Sequence, residues 1–457
     1  MPPRYLMRDV IVCIPGITGS VLRKNGRDVW NISGGAVFNA LRSLGDSIGD
    51  LKLERDPVDV DDVDGMTAPS TIRDVHLIPG IWKIDGYTKL IEHIKDKFDV
   101  EWNQNLFELP YDWRRDNRVA SRQLATKAER WLDAWRKKGH PDAKLVLVGH
   151  SMGGLIARHY LECREGWRDT RTLVTFGTPY GGSMNALGTL VNGKKIKFFD
   201  LTEIARSLTA LYQLLPVYRC YDERGDGNFV RVAEAKIPHL DAAKATAALA
   251  FHHEIRDAVK LNMKIPEYRD ARYDIRPIVG IEQPTNQSAV RDGDRVKLLR
   301  SRGQENVGGD GTVPRPSATP AEFEHHENEI YSPERHASLQ NDDDVLFQLR
   351  GILTQTFKPG DWRAAATKIA QSLDVEDTYL PTEPIRVRTR PLDDPGAVLV
   401  AEAENVETGE KTRRQLAATG DGWYEAELGP LAEGSYRVSS IGATIEPVTD
   451  LVTVIAE

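Results

Sequence analysis

The sequence predicts an α/β protein, a mostly parallel sheet with helices on both faces and a helical cap insertion, followed by a small C-terminal all-β sandwich. Three observations carry this reading. Short apolar runs alternate with helical patterns over most of the chain. A glycine-rich turn, Gly149-His150-Ser151-Met152-Gly153, separates one such run from a helical stretch. After about Lys358 the pattern changes to short alternating segments punctuated by turns.

Taken in order, Val10 to Ile14 reads as a buried strand closed by Pro15-Gly16. Ser121 to Lys138 places Leu124, Ala128, Trp131, Leu132 and Trp135 at helical spacing. Lys144 to Val148 is a second strand, Leu155 to Cys163 a helix and Thr172 to Phe176 a third strand. Arg276 to Ile281 and Val296 to Arg300 are candidates for later strands of the sheet. Residues 183–273 read as the cap, and Leu208 to Val217 within it is rich in Leu and Tyr. Residues 1–360 are thus expected to form the catalytic unit and 361–384 a helix and linker, the helix spanning Asp361 to Leu373. An immunoglobulin-like sandwich is expected over 385–457, with Glu407-Thr408-Gly409 and Gly420-Asp421-Gly422 as turns.

The chain has 457 residues and a net charge of −8, from 60 basic and 68 acidic residues. Without a basic stripe it is expected to have no nucleic-acid partner. Cys13, Cys163 and Cys220 sit at no metal-ligand or redox spacing and read as free, mostly buried thiols. No apolar run approaches the ~18 residues of a membrane span, and the first residues hold no signal core. The expectation is a cytoplasmic protein with neither cofactor nor metal.

The serine turn carries the chemistry. A strand leads into Gly149-His150-Ser151-Met152-Gly153 and a helix leads out, the setting of the nucleophile elbow of the α/β-hydrolase fold. Small residues two positions either side of Ser151 let strand and helix approach closely. The helix N-terminus beyond it favours developing negative charge. A serine hydroxyl needs a base at neutral pH, and the base needs an orienting carboxylate. In this fold the chain order is Ser, Asp, His. Asp310, in Gly309-Asp310-Gly311-Thr312-Val313-Pro314, is the candidate acid, with Asp292 and Asp294 as rivals in a hairpin-turn context. His336, in a loop before the helical stretch Asp344 to Leu353, is the candidate base, with His325 and His326 as rivals in an acidic run. His150 is expected to point away from the serine. Backbone N–H groups of Met152 and Ile17 are the candidate oxyanion donors.

Taken together these segments resemble the lecithin:cholesterol acyltransferase-like family, which includes lysosomal phospholipase A2-type acyltransferases. The resemblance rests on Ile14-Pro15-Gly16-Ile17-Thr18-Gly19-Ser20, Pro110-Tyr111-Asp112-Trp113-Arg114, the serine motif with Gly154, and Phe176-Gly177-Thr178-Pro179-Tyr180-Gly181-Gly182-Ser183. It continues through Tyr212-Gln213-Leu214-Leu215-Pro216, Gly309 to Pro314, and His336, covering about residues 9 to 355. It implies a triad of Ser151, Asp310 and His336, oxyanion donors at Ile17 and Met152, and movement of a fatty acyl chain from glycerophospholipid to water or an alcohol. It also implies that the Tyr-Asp-Trp-Arg segment is chiefly structural. The animal members are secretory and disulfide-bonded, this chain shows neither a signal nor paired cysteines, and the C-terminal β region lies outside the family core.

The expected function is therefore a serine hydrolase of acyl esters, a phospholipase or O-acyltransferase working through a Ser151 acyl-enzyme on a lipid or ester substrate. The alternatives are a carboxylesterase or thioesterase for small soluble esters, and a non-catalytic adaptor using the sandwich to bind a protein partner. Leu211, Tyr212, Leu214 and Leu215 are the substrate or lid candidates; their stretch reads either as an apolar surface for transient docking on a membrane or as core packing.

Overall fold

Six parallel strands form the central sheet of the computed structural model, which describes residues 4–31, 48–73, 76–78, 82–196, 199–271, 273–323, 329–354, 368–393 and 396–455. In chain order the elements that matter begin with β1 (Val10–Ile14), α1 (Thr88–Lys97), β2 (Leu106–Glu108) and α2 (Asn117–Lys137). Next come β3 (Leu145–His150), α3 (Met152–Cys163) and β4 (Thr170–Phe176). An inserted segment then carries α4 (Met184–Asn192), α5 (Thr202–Ser207), α6 (Thr209–Tyr212) and α7 (Ala242–Asn262). The chain returns through β5 (Asp274–Gly280), a hairpin of β6 (Ser288–Asp292) and β7 (Arg295–Leu299), then β8 (Ile330–Ser332) and α8 (Asp343–Thr354). The sheet order is β8-β5-β4-β3-β1-β2, every pairing parallel.

Both faces of the sheet are covered, which is why its strands read as continuous apolar runs rather than alternating ones. Val10, Val12, Ile14, Leu145, Leu147 and Leu173 point to one core, shared with α2, α3, α4 and α7. Ile11, Cys13, Val146, Val148, Val174 and Phe176 point to the other, against α1 and α8. The split follows the two-residue side-chain period of a strand. Helix α2 buries Leu124, Ala128, Leu132 and Trp135 as its spacing predicts, and Asp116 caps it by accepting from the Arg118 N–H. Among the described residues no helix is long and apolar enough to cross a membrane.

Two expectations about elements fail. Val296 to Arg300 does not join the main sheet: β7 pairs antiparallel with β6 in a separate small sheet. Its pattern is that of a half-exposed hairpin, with Arg295 and Lys297 outside and Val296 buried. The helix expected over Asp361 to Leu373 is also wrong where it can be judged. Residues 361–367 lie outside the described ones, and Gln371–Asp374 is a strand.

That strand, β9, opens the C-terminal β unit. It is followed by β10 (Thr378–Tyr379), β11 (Ile385–Pro391), β12 (Leu399–Asn405), β13 (Lys411–Gln415) and β14 (Ala417–Ala418). The unit closes with β15 (Tyr424–Leu428), β16 (Gly434–Gly442) and β17 (Val448–Val454). Two sheets, ordered β9-β11-β15-β14 and β10-β17-β16-β12-β13, enclose a common apolar core that includes Ile385, Val387, Leu399, Tyr424, Val438 and Val452. Alternation gives the sandwich its two faces: in β11, Ile385, Val387 and Thr389 are buried while Arg386 is exposed.

Candidate active site

Strand β3 ends in the turn that carries Ser151, whose backbone takes φ +51 and ψ −124. A non-glycine residue is uncommon in that region and is held there only by its surroundings. The Ser151 N–H donates to the Phe176 carbonyl at 2.8 Å, and the Ser151 carbonyl accepts from the Thr178 hydroxyl at 2.9 Å. The turn needs glycine at 153 for a specific reason. A Cβ there would lie 2.3 Å from the Ile14 carbonyl oxygen, so the helix could not pack against the β1 loop.

His336 stands in the loop between β8 and α8. Its Nε2 lies 3.0 Å from Ser151 Oγ and its Nδ1 lies 2.7 Å from Asp310 Oδ2. The other carboxylate oxygen of Asp310 accepts from the N–H groups of Thr312 at 2.9 Å and Val313 at 2.7 Å. Ser151, Asp310 and His336 are 5%, 1% and 6% exposed, so the group is largely screened from water. Gly177, at φ +54, is the second obligatory glycine. A Cβ on it would sit 2.7 Å from Asp310 Oδ2 and 2.9 Å from His336 Nδ1, inside the carboxylate–imidazole pair.

The structure thus brings Ser151, Asp310 and His336 together. It separates two of the rivals from them, since Asp292 and Asp294 are exposed at the β6–β7 hairpin; the other two, His325 and His326, lie outside the described residues.

The loop after β1 faces the serine turn. Thr18 takes φ +61, and among the described residues the Ile17 N–H has no acceptor. Met152 is the first residue of α3, where N–H groups lack intrahelical acceptors. The Tyr-Asp-Trp-Arg segment builds the support beneath this loop. The Tyr111 hydroxyl donates to the Pro15 carbonyl at 2.8 Å, and the Trp113 indole to the Ser20 carbonyl at 3.1 Å. Arg114 is fully buried, with Asp112 and Asp64 carboxylates at 2.7 and 2.9 Å.

Two residues that sequence reasoning left without a role complete the surroundings. The Gly16 N–H donates to the Tyr87 hydroxyl at 2.8 Å, which lies 2.9 Å from His150 Nδ1; His150 Nε2 is 3.2 Å from the His336 carbonyl oxygen. A carbonyl only accepts, so Nε2 carries the proton and Nδ1 takes one from Tyr87. Burial first, then the neighbouring His336, pushes the His150 imidazole down to about 3, which keeps it neutral. No local pattern announces Tyr87; only its proximity in the fold does.

For Leu211, Tyr212, Leu214 and Leu215 the structure favours the core-packing reading of their stretch. They are at most 5% exposed and belong to the core shared by α2, α3 and α7. Their apolar character serves packing, so this stretch presents no apolar surface to a bilayer. Among the described residues the one group able to offer three metal-ligand atoms is His159, Cys163 and Glu254. Arg118 Nε already pairs with Glu254 at 2.7 Å, and its charge works against a bound cation.

Fold and site together define an α/β-hydrolase. The model of the lecithin:cholesterol acyltransferase family matches residues 79–290, in agreement with the resemblance carried by the motifs. This supports lipid acyl hydrolysis or acyl transfer as the class of chemistry. A search of curated proteins gives no match. Among solved structures, the chain is similar to one described as the Tle4-Tli4 complex. The identity there is 16%, the TM-score is 0.51, and the match covers 79% of this chain and 100% of that one. Two further similarities are to the lipase BlEst2 of Bacillus licheniformis in its propeptide form and to phospholipase PlaB of Legionella pneumophila. The first has 14% identity, covers 97% of this chain and 73% of that one, and has a TM-score of 0.39. The second has 10% identity, covers 97% of this chain and 88% of that one, and has a TM-score of 0.29.

Proposed function

We propose that the protein is a serine acyl hydrolase or acyltransferase that acts on a lipid ester through an acyl-enzyme on Ser151. The observation that carries this is the position of His336, 3.0 Å from Ser151 Oγ and 2.7 Å from Asp310 Oδ2. As Oγ attacks the ester carbonyl, His336 Nε2 takes its proton. Asp310 holds the imidazole in the tautomer that leaves Nε2 free and stabilises the imidazolium. The N–H groups of Ile17 and Met152 receive the oxyanion, each worth about 2.7–4 kcal/mol of barrier. Protonated His336 then releases the alcohol, and water or a second alcohol resolves the ester on Ser151.

A second reading, a carboxylesterase for small soluble esters, is favoured by the burial of Leu211, Tyr212, Leu214 and Leu215, which leaves that stretch without an apolar docking face. Phospholipid turnover followed by mass spectrometry separates the two. Wild type and Ser151→Ala are compared with and without a fatty alcohol, above and below the micelle threshold. Lysolipid or fatty acid from wild type alone supports the lipid reading, and fatty-alcohol ester adds transfer. Intact phospholipid with cleavage of short soluble esters sinks it.

A further inference from the structure

His336 sits in neither a helix nor a strand, so no backbone ladder holds its loop. Within the catalytic unit the His336 N–H donates to the Asp310 carbonyl at 2.9 Å and the Ala337 carbonyl accepts from the Asp85 N–H at 3.0 Å, and the residues flanking the histidine are fastened to the C-terminal β unit. Glu334 Oε1 accepts from the N–H groups of Arg335 at 2.8 Å and of Thr449 in β17 at 3.0 Å. The Arg335 guanidinium pairs through Nε with Asp450 Oδ2 at 2.8 Å and donates through Nη1 to the Leu373 carbonyl in β9 at 2.5 Å. Ala337, on the other side of the histidine, packs against Leu451. Gln283 links the same parts: its Nε2 donates to the carbonyls of Pro333 at 2.5 Å and Gln371 at 3.0 Å, and its Oε1 accepts from the Leu373 N–H at 3.1 Å.

We propose that Arg335 is a positioning residue that makes the β unit part of the acyl-transfer machinery, bridging Asp450 and the Leu373 carbonyl to hold the His336 imidazole between Ser151 and Asp310. This rests on the triad reading above. A guanidinium suits the task because its charge and its rigid fork of donors act together, so an ion pair to β17 and a hydrogen bond to β9 hold the loop against two different strands. Asp450 is 1% exposed, which removes competing water from the pair. The histidine has little freedom to spare, since a misplacement of about 1 Å at a reacting group costs on the order of 100-fold in rate.

The test separates positioning from stability. In the full-length chain, the double variant Arg335→Leu/Asp450→Leu removes both charges together, a replacement that is often neutral or stabilising for the fold. Arg335→Lys keeps the ion pair but cannot bridge both partners. Two readouts are taken: kcat and KM on a short-chain p-nitrophenyl ester, and the downfield proton resonance of His336 Nδ1–H. The expected result is a cooperative fold in the double variant, kcat lowered about 10- to 100-fold with KM within about twofold, and a broadened or missing resonance. Arg335→Lys is expected to fall between that variant and wild type. Wild-type kcat and an unchanged resonance in the double variant would overturn the proposal. If wild type turns over no ester, yet its resonance is present and is lost in the double variant, the reaction assigned to the triad falls and the positioning stands.

Discussion

The Tyr87 hydroxyl and His150 Nδ1 lie 2.9 Å apart in a buried setting, and their bond joins the loop after β1 to the His336 loop. Tyr87 accepts from Gly16, next to the candidate oxyanion donor Ile17, and His150 reaches the backbone of His336. Burial pushes the Tyr87 hydroxyl well up, so it stays a donor across the working pH range.

Tyr87→Phe keeps the ring and deletes the link. It leaves the Gly16 N–H and His150 Nδ1 without their partner, at about 1–3 kcal/mol for each buried group. Urea unfolding should show that loss, and kcat on a soluble ester should fall while KM changes little. A variant with wild-type stability and kcat would show that the link holds nothing in place.

Gly177→Ala acts at closer range. Its methyl would meet Asp310 Oδ2 at 2.7 Å and His336 Nδ1 at 2.9 Å, and φ +54 strains any side chain there. We expect kcat to fall by about 100-fold, from displacement of the imidazole alone. Circular dichroism should report a folded protein. Undiminished turnover would mean that this carboxylate–imidazole contact is not used.

His252 provides a test by pH. Its Nε2 donates to the Gln213 carbonyl at 2.8 Å, and burial pushes the imidazole down to about 4. An unfolded chain binds that proton at the usual value of about 6.5, so as pH falls it is protonated first. The stability contributed by the neutral, partly buried ring is complete above that value and is lost as pH falls toward 4. Comparison with His252→Gln cancels the other titrating groups. Between about pH 7.5 and pH 5 the wild type should lose about 2 kcal/mol relative to the variant in urea unfolding. A difference that does not change with pH would count against a neutral, partly buried His252.

What the sequence makes legible here is what is local. Ser151 announces itself because the strand, the turn and the helix that present it are contiguous, and Asp310 and His336 follow from chain order. The glycine-containing loop after β1 adds Ile17 in the same local way, and the resemblance agrees with it. Tyr87 is illegible because its partner His150 is 63 residues away and the pairing exists only after α1 packs on the sheet. Strand β13 is missed because, as an edge strand, Lys411 to Gln415 carries mostly exposed side chains, with Lys411 and Arg413 paired to Glu402. Such a strand shows charge where apolar alternation is sought. Leu211, Tyr212, Leu214 and Leu215 mislead in the opposite sense, because an apolar stretch in an insertion reads equally as surface or as core.

The fastening of His336 to β9 and β17 bears on the order in which the protein is made. A ribosome synthesises Ser151, Asp310 and His336 well before Thr449, Asp450 and Leu451. A nascent chain that has emerged only as far as the helix after His336 therefore carries every group of the triad without the strands that seat its base. On the proposed reading, ester turnover would then wait until β9 and β17 have been made and have packed against the His336 loop.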